Sequence, residues 1–81
     1  MISQKKLDLV CGRVADILRE ERERQRLSMT AVAVEAGLSQ QMVSYVERGL
    51  RTPNIETLFR LAWALRLKPS ELIHRAEEAG G

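Results

Sequence analysis

Cysteine, histidine, proline and aromatic residues are all scarce in this 81-residue chain. The single cysteine, Cys11, excludes an internal disulfide and fits a reducing cytosol. With no partner thiol and only one histidine, His74, neither a zinc site nor a redox pair can be assembled, and no metal or other cofactor is expected. His74 has no acid or nucleophile at a recognisable spacing, and Asp8 and Asp16 form no obvious dyad, so no catalytic role is expected. There is no glycine-rich phosphate loop. No apolar run approaches the roughly 18 residues of a membrane span, and the segment MISQKKLDLV lacks the h-region of a signal peptide. A cytoplasmic location without membrane contact is therefore expected. The two prolines, Pro53 and Pro69, both stand where a helix would begin.

What remains is an ordinary globular composition, 44% hydrophobic and 30% charged. A chain of this length supports one domain and one modest core, with roughly 60–65% of the unfolded surface buried. The expected domain is 1–81, with an ordered core over about 6–76. Net charge is only +2 and identifies no partner by itself. Ten of the thirteen basic residues are arginine, the better side chain for bidentate phosphate and base contacts.

The hydrophobic periodicity predicts an all-α fold of five helices. The first would run from about Lys6 to Gln25, with Leu7, Val10, Val14, Ile17 and Leu18 on one side and Cys11 buried near that face. Its charged side offers Arg19/Glu23 and Glu20/Arg24 as pairs four residues apart. Leu27 turns the chain inward, and Ser28 caps a second helix, Met29 to Ala36. A third runs from Gln40 to about Arg48 and stops at Gly49. A fourth spans about Ile55 to Leu65 behind Asn54, and a fifth starts near Pro69 and carries Leu72, Ile73 and Ala76. The tail from Glu77 to Gly81 is expected to fray.

The stretch 29–48, MTAVAVEAGLSQQMVSYVER, is the most informative. Val32, Ala36, Val43 and Val46 share one core, and Ala33 is small where two helices approach. Gly37 can take positive φ, Leu38 plugs the turn and Ser39 caps the next helix. Their joint spacing is that of a helix-turn-helix, whose second helix lies in the major groove of DNA.

Further residues extend the pattern. Glu47-Arg48-Gly49, Pro53, Leu58-Phe59-Arg60-Leu61-Ala62, Leu65 and Ser70-Glu71-Leu72 resemble the lambda-repressor-like (Cro/cI, Xre) DNA-binding domain over roughly Val14 to Ile73. The resemblance implies a compact five-helix domain that binds double-stranded operator DNA, usually as a homodimer. In size the chain also resembles restriction–modification controller proteins.

Gln40 and Gln41 begin the third helix, where residues point at base edges, and a glutamine amide can pair bidentately with adenine. The resemblance assigns both to base contact. Ser44 and Tyr45 share that face, one turn on, and are read as base or backbone contacts. On an isolated helix all four would simply be a solvated polar face. Met42 has two readings, the edge of the groove or a filler between helices. Backbone phosphates would be met by Ser28, Met29 and Thr30 at the start of the second helix, by Ser39, by Arg48 and Arg51 beside Gly49, and by Asn54. The alternative for the two arginines is ordinary surface charge. The family often has glutamine where this chain has Met29, bridging a phosphate and the recognition helix, so that side-chain brace is expected to be lost. The resemblance also implies a structural ion pair between Arg22 and Glu47.

On the fourth helix, Ile55, Phe59 and Trp63 widen the apolar arc of Leu58, Leu61, Ala62 and Leu65 to about 200°. That is more than one core needs, so Phe59 and Trp63 are expected at a dimer interface, the alternative being that Trp63 is simply the largest core residue. The functional expectation is a homodimeric, sequence-specific transcriptional regulator on a palindromic operator, repression being the default and no small-molecule ligand expected. Alternatives are a restriction–modification controller or activator, an antitoxin-type regulator, or an interaction module of the same fold that binds no DNA.

Overall fold

Ser3, Ser28, Ser39 and Asn54 each accept a backbone N–H three residues ahead with the side-chain oxygen, at 2.8–3.3 Å, and so start four of the five helices. The computed structural model describes residues 1–80, with side-chain surroundings through Glu78. The helices are α1 Gln4–Arg24, α2 Met29–Ala36, α3 Gln40–Glu47, α4 Ile55–Ala64 and α5 Pro69–Gly80, with no strand among the described residues. The Ser3 cap starts α1 two residues before the position read from periodicity, and Gln25 follows the helix as its C-cap. α5 is helical from Pro69 to Gly80, with Ala76 buried and His74 meeting Glu78 at 2.9 Å. Gly81 lies outside the described residues.

The α1–α2 and α4–α5 turns are built alike. Arg26 and Arg66 follow the helices at φ 57° and 60°, a left-handed conformation that normally favours glycine. The next residues, Leu27 and Leu67, donate to Arg22 O and Ala62 O and pack against the core.

One cluster holds the helices together. Val14, Ile17 and Leu18 of α1 meet Val32 and Ala36 of α2, Val43 and Val46 of α3, Leu58, Leu61 and Ala62 of α4, Leu65, and Leu72 and Ala76 of α5. α1 lies mainly along α5 and also touches α3, while α2 packs on both α3 and α4.

Burial along α1 begins only at Val14. The long helix carries its apolar stripe beyond the reach of the core, which leaves Leu7 exposed and Val10 half-buried. The same reason corrects the expectation for Cys11, which is exposed and lines a shallow cleft facing Gly49, Arg51 and Pro53. Ile73 is also partly exposed. The pairs expected four apart on α1 do not form. Arg19 meets Asp16 and Arg24 meets Glu21, each three residues back. No helix among the described residues is long and apolar enough to cross a membrane, and none of their acidic, His and Cys side chains group as a metal site.

Candidate nucleic-acid interface

The hinge between α2 and α3 is set by Gly37, at φ 70° and ψ 35°. Gly37 and Leu38 N–H groups close α2 on Val34 O and Ala33 O. A Cβ at Gly37 would stand 2.9 Å from Arg60 Nη1, and that nitrogen donates to Ala36 O at 3.1 Å. The backbone conformation favours glycine at the hinge, and a Cβ there would also push the Arg60 guanidinium off its place over the turn. Val32, Ala33, Ala36, Val43 and Val46 are all buried, and Leu38 packs against them from the turn.

The far end of α3 is held by α1. Arg22 Nε and Nη2 donate to the two carboxylate oxygens of Glu47 at 2.7 and 3.0 Å, while Arg22 Nη1 donates to Leu27 O at 2.9 Å. Both side chains are nearly enclosed, at 12% and 4% exposure. The Glu47 hydrogen bonds raise the Arg22 pKa further above its ordinary value, so the guanidinium stays charged. Arg19 Nη1 adds a bond to Glu47 O at 3.3 Å.

With those contacts behind it, α3 turns Gln40 and Gln41 outward, exposed, and Ser44 and Tyr45 half-exposed. Gln41 Nε2 donates to Tyr45 Oη at 2.6 Å, and Arg51 stacks its guanidinium 5.8 Å above the Tyr45 ring. Gln40 Nε2 lies 3.7 Å from Met29 Sδ. A thioether sulfur is a weak acceptor, so Met29 meets Gln40 where the two helix N-termini adjoin, although it cannot also bridge to a phosphate as a glutamine would. Met42 is half-buried and packed against the core, the gap-filling reading of the two.

Ser28, Thr30, Ser39, Arg48, Arg51 and Asn54 are all exposed around this helix, and Met29 is half-buried. Ser28 and Ser39 use their hydroxyl oxygens as caps, which leaves each O–H free to donate to a phosphate. Asn54 caps α4 through Oδ1 and keeps its amide N–H groups free for the same purpose. Among the described residues neither Arg48 nor Arg51 is in a salt bridge, so their charge is open to an external anion.

On another face, Phe59 and Trp63 meet edge to face with ring centroids 5.3 Å apart. Trp63 is 64% and Ile55 72% exposed. The alternative that Trp63 is a core residue is therefore set aside. With Ala36 and Ala64 these three line an apolar groove between α2 and α4, rimmed by Glu35, Glu56 and Arg60.

Three supporting residues escaped sequence reasoning. Arg19, Arg60 and Gln25 donate to backbone carbonyls at the ends of α3, α2 and α4, on Glu47, Ala36 and Leu65 respectively. They reach across 24 to 40 residues, and no local spacing announces them. Composition was the only signal, ten arginines in an 81-residue chain.

Comparison with known proteins bears on this arrangement. The helix-turn-helix family model matches residues 18–72. An HTH-type transcriptional regulator of Mycobacterium tuberculosis is 41% identical over 59 residues, covering 73% of this chain and 42% of the regulator, so the chain spans less than half the length of that relative. An HTH-type transcriptional regulator of Sinorhizobium fredii is 39% identical over 57 residues, covering 70% of this chain and 74% of that protein. Among solved structures, the restriction-modification controller protein C.AhdI from Aeromonas hydrophila superposes with a TM-score of 0.72 at 38% identity, covering 82% of this chain and 97% of that one. An exposed polar helix set on a glycine hinge, and the family match across it, lead to one conclusion: the chain belongs to the Cro/cI-like helix-turn-helix family of DNA-binding transcriptional regulators.

Proposed function

We propose that this protein represses transcription by binding a palindromic operator as a homodimer, in the cytoplasm and without catalysing a reaction. The observation that carries the reading is the outward row of Gln40, Gln41, Ser44 and Tyr45 on a helix whose other face is locked into the core by Val43, Val46 and Glu47. The two amides read base edges, one bidentate contact to adenine giving about 1–3 kcal/mol of discrimination. Ser44 and Tyr45 reach bases or phosphates beside them. Ser28, Met29, Thr30, Ser39, Arg48, Arg51 and Asn54 hold the backbone on either side, fixing register without reading sequence. Arg22 and Glu47 aim the helix.

One such helix spans only a few base pairs. Two copies, with α3 helices about 34 Å apart, read both halves of a two-fold site. The exposed Phe59–Trp63 pair supplies the apolar surface on which the second copy sits.

Selection of bound DNA from a random pool tests the reading. An inverted repeat is expected, with binding that weakens as salt rises by a log–log slope near −0.9 per phosphate neutralised. Gln40→Ala is expected to flatten preference at one position in each half-site. Unchanged base preference in that variant refutes the base-reading role. A second reading, control of a restriction–modification system, is favoured by the superposition with C.AhdI over nearly all of that chain. Activation of a reporter from the selected site, in place of repression, distinguishes it.

A further inference from the structure

We infer that the Met29 thioether fixes which way round the Gln40 amide faces, and so acts as a specificity-determining residue. The inference rests on the DNA-reading role given to Gln40 above.

Met29 and Gln40 are the first residues of α2 and α3, each directly behind a serine cap. Both backbones are therefore anchored where the side chains meet. Met29 is half-buried and packed against the core, whereas Gln40 is exposed. The methionine is the fixed partner and the glutamine the adjustable one. Between them Gln40 Nε2 points at Met29 Sδ across 3.7 Å.

The chemistry of sulfur gives this contact a direction. An amide offers a donor and an acceptor end, and a half-turn of its terminal torsion exchanges them. A thioether carries lone pairs and no proton. It attracts Nε2–H and repels Oε1, so it selects one of the two orientations. A glutamine or serine at position 29 would accept from one orientation and donate to the other, and would leave the choice open.

The selected orientation leaves the base-reading edge intact. The amide nitrogen carries two hydrogens. One points along the same edge as Oε1, and that edge pairs with adenine, Oε1 accepting from N6–H and Nε2–H donating to N7. The other hydrogen points away and is the one available to sulfur. Bracing and reading therefore use different atoms. A long, flexible side chain arrives at DNA already in one donor–acceptor sense, with less freedom to lose on binding.

Met29→Leu is the discriminating change, because it keeps volume and packing and removes only the acceptor. Random-pool selection is run on the wild type, Met29→Leu, Gln40→Ala and the double variant, each first shown to melt like the wild type. At the position that Gln40→Ala flattens, Met29→Leu is expected to reduce preference about two- to fivefold, and to add nothing once Gln40 is alanine. The inference is overturned if Met29→Leu leaves that position unchanged, or shifts it equally in both backgrounds. It is tested without DNA by nuclear Overhauser contacts between the Gln40 side-chain amide protons and the Met29 methyl, expected in the wild type. Their absence overturns the brace even if base reading by Gln40 stands. Failure of the wild type to enrich any sequence overturns the DNA-reading role, and the specificity role with it, while the Overhauser contact still reports whether the brace exists.

Discussion

Replacing Glu47 by alanine is expected to remove a large part of this protein's stability, although Glu47 contributes little apolar area. The carboxylate receives two charge-assisted bonds from Arg22, 2.7 and 3.0 Å long, in a site where the two side chains are 12% and 4% exposed. Without it the guanidinium remains charged and enclosed, keeping only its bond to Leu27 O. Stranding one member of such a pair costs about 3–5 kcal/mol. A folded chain of this size has roughly 4–12 kcal/mol in total. In urea, with an m-value of about 1 kcal/mol/M, the unfolding midpoint followed by circular dichroism should fall by roughly 3–5 M. The double variant Arg22→Met/Glu47→Met should regain part of the loss, since both charges leave together and apolar groups take their volume. It should stop short of wild type, because Leu27 O loses its donor, worth about 1–3 kcal/mol. The reasoning is refuted if Glu47→Ala loses less than about 1 kcal/mol, or if the double variant is no more stable than the single one.

Trp63→Glu should shift the protein to monomers in sedimentation while changing stability by no more than about 0.5 kcal/mol, since the ring is already mostly exposed; an intact dimer places the interface elsewhere. Arg66→Gly should stabilise by about 0.5–1 kcal/mol, because the residue stands at φ 60° and glycine relieves that strain at a smaller entropic cost. Its thermal midpoint should rise by several degrees, and a fall would show that the arginine side chain holds the turn. Glu21 gives a pH signature. The Arg24 hydrogen bond holds its carboxyl below the ordinary value of 4.5, against the opposing effect of burial. A folded pKa below the unfolded one contributes stability above pH 4.5 that disappears as pH falls through the folded value. Glu21→Gln should therefore lie closest to wild type in strong acid and furthest from it near neutrality, and a constant gap across that range contradicts the assignment.

The helices were legible in the sequence because local chemistry announces them. Ser28, Ser39 and Asn54 are caps wherever they precede helical spacing, and Gly37 and Gly49 take positive φ where glycine is favoured. The exposed face of α3 was legible too, as the complement of Val43 and Val46. Misreadings arose where one pattern carries two meanings. The stripe of α1 is periodic from Leu7, but periodicity does not say how far a neighbouring core extends, and Leu7 and Cys11 stand beyond it. Arg19 could pair forward or back along its helix, and its additional bond to Glu47 O across 28 residues was invisible in one dimension. The contact between Met29 and Gln40 was not legible because sulfur was judged by the bonds it cannot make.

Arg19 and Arg22 lie one turn apart on α1, and both end on Glu47, one on its backbone and one on its carboxylate. The pitch at which α3 leaves the body is consequently set from α1. Inserting a single residue into α1 between Leu18 and Arg19 would swing both guanidiniums by about 100° around the helix axis. Such an insertion would take both guanidiniums off Glu47 and free that end of α3 while leaving every residue of α3 unchanged.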